Sequence, residues 1–267
     1  MLNLPSVTLL CVETRDPTLA LYAMQKCLEQ ANFGKIVLIT DLARLSKEPI
    51  EVEGMAYVQA PPIKTTKDYS DLLLTGLRQY VSGTHVLIIQ WDSFILHPEL
   101  WTDDFLRYDY IGAVWPHHPD TPVGNGGFSL RSVKLLEALE SPKNTKRHPE
   151  DFCICVDNKA TLEKEFGIRF APTNVAEQFA VERADWHPAF GFHGFFNFGK
   201  VLSPEELSAF IDLLPDTYLG GVDAYDLIDD LTLSNQSITA KAIARRVQFS
   251  WKWRMRFIQM KIRMWLG

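Results

Sequence analysis

His85-Val-Leu-Ile-Ile-Gln-Trp-Asp-Ser-Phe-Ile-Leu96 is the stretch on which the fold turns. Its apolar run, Val86 to Ile89, stops abruptly at Gln90, Trp91 and Asp92. Aliphatic residues without polar alternation predict a strand buried on both faces, the kind found in sheets covered by helices. In open α/β sheets ligands gather at the carboxyl ends of the strands. Asp92 therefore stands where a metal ion or a phosphate could be met. The plainer alternative is that it starts the following turn.

The segments before it repeat the theme. Val7-Thr-Leu-Leu-Cys-Val12 reads as a buried strand opening onto Glu13-Thr-Arg-Asp-Pro17, and Thr18 to Gln30 has helical spacing. Lys35-Ile-Val-Leu-Ile-Thr-Asp41 is a second strand ending in an aspartate, Met55 to Gln59 a short third, and Asp68 to Val81 a helix. Strand and helix in alternation predict an α/β fold with a mostly parallel central sheet flanked by helices. Further on, Glu99 to Arg107 reads as short helix and Tyr110 to Trp115 as strand. Phe128 to Arg131 is a short strand feeding a helix over Ser132 to Glu140. Asp151 to Phe166 reads as helix and Val175 to Val181 as strand. Ser203-Pro-Glu-Glu206 carries a capping-box start for another helix. The sequence predicts one domain over residues 1–225 and a helical tail over 226–267.

Composition narrows the class. A chain of 267 residues that is 46% hydrophobic suits one large or two small globular domains. The net charge of −6 argues against a general nucleic-acid binder. Cys11, Cys27, Cys153 and Cys155 lack zinc spacing and read as reduced core residues, which points to the cytoplasm. Met1-Leu-Asn-Leu-Pro5 has no basic region followed by a long apolar one, so no signal peptide is expected. No run approaches the roughly 18 apolar residues of a membrane span.

The charge average conceals a basic end. From Leu231 to Gly267 there is no Asp or Glu. Lys241, Arg245, Arg246, Lys252, Arg254, Arg256, Lys261 and Arg263 are interleaved with Trp251, Trp253, Phe257 and Trp265. On a helix Trp251, Met255, Ile258, Ile262 and Trp265 form one apolar stripe, and Trp253, Phe257, Met260 and Met264 a second roughly opposite. The pattern predicts an interfacial helix on an anionic membrane, one stripe on the protein and the other on lipid. A helix packed wholly on the body is the alternative.

Four clusters can carry chemistry. Gln90-Trp-Asp92 offers a hard oxygen ligand at a strand end. Val123-Gly-Asn-Gly-Gly-Phe-Ser-Leu-Arg131 demands either positive φ or close backbone approach; it is neither a P-loop nor a dinucleotide fingerprint. Pro149-Glu-Asp151 at a helix start is either a dipole complement or a source of general base. His193, in Ala189-Phe-Gly-Phe-His-Gly-Phe195, is either structural or a metal ligand.

Together with Val7–Val12, Tyr69-Ser70 and Tyr108-Asp-Tyr-Ile-Gly-Ala113, these pieces resemble the bacterial glycosyltransferase-like family DUF5672, of GT-A type, over roughly residues 7 to 200. The resemblance implies that Asp92 is the second acid of a D-x-D motif, with Gln90 where the first acid is usual, and that His193 completes a Mn²⁺ or Mg²⁺ site. It implies that Asn125, Gly126 and Gly127 line the donor sugar or acceptor, and that Asp151, or Glu150, is the base of an inverting transfer. Thr14, Arg15, Asp41 and Tyr69 would surround a nucleotide-sugar donor, expected to be a UDP-sugar. The acceptor would be a glycan, lipid-linked, in surface polysaccharide assembly such as lipopolysaccharide, O-antigen or capsule. The protein would then be cytoplasmic and attached peripherally to the inner membrane face. A metal-dependent nucleotide-sugar hydrolase or nucleotidyltransferase, and a catalytically silent sugar-binding protein, are the alternatives.

Overall fold

The computed structural model describes residues 1–45, 52–145 and 148–266. The first part of the chain runs β1 (Leu2–Val12), α1 (Pro17–Leu28), β2 (Ala31–Thr40), β3 (Met55–Gln59), α2 (Thr66–Thr75) and β4 (His85–Ile89). It continues through β5 (Ser93–Ile95), β6 (Tyr110–Ile111), β7 (Phe128–Ser132), α3 (Val133–Leu139), α4 (Glu150–Phe152), α5 (Lys159–Phe166), α6 (Thr173–Phe179), β8 (Ala180–Val181) and β9 (Gly191–His193). The main sheet has the order β3-β2-β1-β4-β7-β6. Its first four strands are parallel, whereas β7 runs antiparallel to both β4 and β6. The central sheet is therefore mostly parallel, as the alternation of strand and helix predicts.

Burial explains the apolar runs. All five residues of β4 are buried, so both of its faces are covered. Leu10 and Val12, Val37 and Ile39, and Val86 and Ile88 pack on one face with Leu72 and Leu73 of α2. The alternate residues Leu9, Cys11, Leu38 and Leu87 are equally buried on the other. The four cysteines are free, buried thiols.

Several expected elements take another form. The helix read over Asp68–Val81 ends at Thr75 and gives way to a tight turn, Arg78–Tyr80. Asp151–Phe166 is interrupted: Glu150–Phe152 passes into a π-helical stretch, Cys153–Asp157, and α5 starts anew after Asn158. The Asn158 amide donates to the carbonyls of Thr145 and Cys153, so it serves the loop rather than a continuous helix. Val175–Val181 is helix α6 except for its last two residues. Pro172 sets the helix start, and only Ala180 and Val181 reach the small sheet β5-β9-β8.

Internal contacts divide the chain into Met1–His193 and Gly194–Gly267. The boundary expected near residue 225 falls inside a helix of the second unit. That unit holds α7 (Phe198–Val201), α8 (Pro204–Leu213), α9 (Val222–Leu233), α10 (Ser237–Arg246) and α11 (Arg254–Leu266). Ser203 and Glu206 form both halves of the expected capping box. The rings of Phe195, Phe198 and Phe210 cluster in its core. Among the described residues no helix is long and apolar enough to cross a membrane.

Candidate active site

Strand register assembles the site in the first unit. In the β4–β7 pair Ile89 faces Phe128, so the next residues meet as well: Gln90 N–H donates to the Gly127 carbonyl at 2.9 Å. In the small sheet Ser93 of β5 faces His193 of β9. That pairing brings His193 beside Asp92, with 3.5 Å between Nε2 and Oδ1. Ser93 Oγ donates to the Gly127 carbonyl at 2.7 Å and locks the two strand ends together.

The turn Gly124–Gly127 is shaped by close approach. A Cβ on Gly126 would lie 2.2 Å from Glu150 Oε1, and one on Gly127 would lie 2.1 Å from His193 Nε2. The left-handed conformation is taken by Asn125, at φ 62. Its side-chain oxygen accepts from the backbone N–H groups of Gly127 and Phe128. This bracket offsets the cost of that backbone region and turns the amide nitrogen toward His193, 2.9 Å from Nδ1.

Besides the Asn125 amide nitrogen, His193 meets oxygen acceptors. Glu182 Oε1 is 3.0 Å from Nδ1, and Gln90 Oε1 is 3.2 Å from Nε2. Burial alone disfavours the charged ring, but the carboxylates of Asp92 and Glu182 outweigh it and hold the imidazole pKa well above its usual range. Gln90 Nε2 donates to the Tyr69 hydroxyl at 3.0 Å. Burial, with the Glu150 carboxylate adding to it, pushes that phenol's pKa far up, so it keeps its hydrogen.

The adjacent acids Glu150 and Asp151 have different surroundings. Glu150 Oε1 accepts from Nη2 of the fully buried Arg131 at 3.2 Å. Burial raises the Glu150 pKa; Arg131 opposes the rise without cancelling it. The Arg131 guanidinium also sits over the Tyr110 ring, 5.5 Å from its centroid. Asp151 is half-buried, and its carboxylate accepts from the backbone N–H groups of Gly126 and Phe152 at 3.2 and 2.8 Å.

Two cavities adjoin along this strand-end surface. One of about 340 Å³ is lined by Thr14, Arg15, Lys64, Thr65 and Trp91. The other, of about 530 Å³, is lined by Asn125, Gly126, Gly127, Glu150, Asp151 and His193. Tyr69 and Gln90 line both. Asp92 is buried behind His193 and lines neither. Asp41 also lines neither cavity; it caps the turn Leu42–Arg44 and pairs with Arg44 at 3.4 Å. The carboxylate of Asp92 and the amide oxygen of Gln90 both approach Nε2 of His193, and oxygen donors of these types beside an imidazole can hold Mn²⁺. Among the described residues no three His, Cys, Asp or Glu side chains gather as a metal cage. A cation held here would draw its remaining ligands from a bound phosphate.

Two residues of the site were given no role from the sequence. Glu182 follows β8 as Asp92 follows β4, so the same strand-end rule could have marked it. Arg131 is the one cation of the fully buried strand Phe128–Ser132, and a buried charge needs a buried partner.

An α/β domain with its polar cavities at the carboxyl ends of parallel strands is thus defined. The chain belongs to the family described as "protein of unknown function (DUF5672)", whose model matches residues 54–193. No curated protein matches it in sequence. Among solved structures it is similar to the mannosyltransferase PcManGT from Pyrobaculum calidifontis in complex with GDP-Man and Mn²⁺. The identity is 13% over 64% of this chain and 55% of that one, with a TM-score of 0.42. It is similar also to a glycosyltransferase involved in the glycosylation of the major capsid of PBCV-1, at 12% identity over 71% and 92% of the two chains and a TM-score of 0.42. HddC from Yersinia pseudotuberculosis matches at 16% identity over 64% and 88%, with a TM-score of 0.37.

Proposed function

We propose that the protein transfers a sugar from a nucleotide-sugar donor to a hydroxyl of a glycan acceptor. The observation that carries this reading is the pair of cavities sharing Tyr69 and Gln90, with a half-buried carboxylate, Asp151, in the second. A nucleoside diphosphate suits the first cavity, where Lys64 supplies positive charge, Arg15 stands paired with Glu13 at 3.4 Å, and Trp91 offers an aromatic face. The donor sugar and the acceptor hydroxyl then meet in the second. Asp151 takes the hydroxyl proton, the acceptor oxygen bonds to the anomeric carbon, and the bond from that carbon to the diphosphate breaks. Attack from the face opposite the leaving group inverts configuration. Glu150, paired with Arg131, keeps the turn and Asp151 in place.

Asp92, His193 and Gln90 would hold Mn²⁺ or Mg²⁺; His193 would first give up the Nε2 proton that the carboxylates favour in the metal-free site, with Glu182 retaining the Nδ1 hydrogen. When bound, the ion neutralises charge on the departing diphosphate. We take a UDP-sugar as donor and a lipid-linked glycan as acceptor. The setting is surface polysaccharide assembly at the cytoplasmic face of the membrane.

Calorimetric titration of UDP, GDP and CMP, each with and without Mn²⁺, tests the reading. UDP binding strengthened by Mn²⁺, and reduced to the metal-free level in Asp92→Ala, is the expected result. Absence of binding by all three nucleotides overturns it. UDP release that proceeds equally without an acceptor sugar would assign the site to hydrolysis instead.

A further inference from the structure

Helix α11 has two unlike faces. Toward the second unit, Met260 is fully buried and the Phe257 ring meets Tyr225 of α9 at 5.4 Å. Arg256 pairs with Asp226 and Asp229 of α9, and Arg263 reaches Asp229 at 3.0 Å. Away from it stand Met255 (60% exposed), Ile258 (47%), Ile262 (52%) and Trp265 (84%), and Trp251 (77%) is exposed in the turn Trp251–Trp253 that leads into the helix. Large apolar side chains exposed in one line are a surface that soluble proteins avoid unless it meets something.

Charge identifies what it meets. Lys252, Arg254 and Lys261 are exposed beside this line, and no acid occurs from Leu231 onward. Arg256 and Arg263 are excluded from that account, because α9 already neutralises them. A bilayer boundary offers both an acyl layer for the stripe and anionic headgroups for the exposed cations. Trp251 and Trp265 bracket the stripe, and indole rings favour that interfacial depth.

We propose that the outward face of α11, with the turn Trp251–Trp253 that leads into it, is a docking surface for anionic membranes: Trp251, Met255, Ile258, Ile262 and Trp265 enter the headgroup–acyl boundary, and Lys252, Arg254 and Lys261 contact the lipid anions. The helix is already folded against α9, so binding does not bear the cost of ordering it. This inference is independent of the transfer chemistry and is tested without any turnover measurement.

The test is co-sedimentation of the full chain with vesicles of phosphatidylcholine, alone or mixed with phosphatidylglycerol. The wild type should bind the mixed vesicles, less so as salt rises, with a blue shift of Trp emission. The variant Trp251→Ala/Ile258→Ser/Trp265→Ala should lose at least about tenfold in partition. Lys252→Glu/Arg254→Glu/Lys261→Glu should abolish the preference for phosphatidylglycerol. The substituted side chains are exposed, and an unchanged unfolding transition verifies that each variant folds. Wild-type protein that stays in solution with both vesicle types overturns the proposal. So does a stripe variant that binds as well as wild type, or one whose only change is conversion of a dimer to a monomer.

Discussion

Asp151 and Glu150 are neighbours in sequence, yet each has surroundings the other lacks. Glu150 is buried against Arg131, and its pKa is raised by desolvation. Asp151 receives backbone N–H donors and faces the larger cavity. A base must reach its proton before its pKa matters, and on that ground Asp151 is the proposed base. Asp151→Asn should therefore lower turnover by about 10²–10⁴-fold while nucleotide affinity stays unchanged. Steady-state rates and a calorimetric titration of the same variant check both halves. His85 gives a residue-scale prediction about stability. Its Nε2 lies 3.1 Å from the Tyr108 carbonyl and its Nδ1 3.0 Å from Thr84 Oγ1, an arrangement that suits the neutral ring. Burial lowers its pKa from 6.5, and the Tyr108 contact only partly offsets this. The unfolded chain then takes up a proton before the folded one does, so stability falls as pH drops through about 6.5 toward the folded value. His85→Gln should flatten that part of the curve of urea midpoint against pH.

At the scale of elements, two strand registers and one turn assemble the site. The pairing of Ser93 with His193 brings Asp92 to the imidazole, and the pairing of Ile89 with Phe128 sets Gln90 against Gly127. The turn must lie flat against both partners, because its glycines leave no room for a Cβ. Gly127→Ala should push His193 away from Gln90 and destabilise the protein by about 1–3 kcal/mol, the usual cost of overpacking. Thermal unfolding measures the second effect, and loss of the Mn²⁺ enhancement of nucleotide binding measures the first. The cluster of glycines was legible as a demand for close approach or positive φ. Which of the two each residue serves was not, since Asn125 rather than a glycine occupies the left-handed region.

For the whole molecule, a ligand that binds only the folded state raises its stability in proportion to occupancy. A nucleotide at 100 times its dissociation constant should stabilise the protein by about 2.7 kcal/mol. Scanning calorimetry with UDP, GDP and CMP then ranks the nucleotides from one thermodynamic effect. A flat melting temperature across all three would contradict a nucleotide site in the first unit. The basic end belongs to this scale as well. Its sequence offered two apolar stripes and no rule for telling them apart. Packing distinguishes them, since Met260 is buried while Trp251 and Trp265 are exposed.

The sequence by itself determined the sheet, because apolar runs such as Val86–Ile89 can be satisfied only between covering layers. It also marked the polar strand ends and the glycine turn, because each breaks a local pattern. It could not determine that Thr173–Phe179 is helical, since seven mixed residues fit either period until Pro172 and the small sheet choose. Nor could it bring Glu182 to His193 or Arg131 to Glu150. Those pairs depend on strand register and on burial, which arise from contacts far apart in the chain. Gln90-Trp-Asp92 could be read as a strand end; only the tertiary structure decided that Gln90 faces the cavities while Asp92 lies buried against His193.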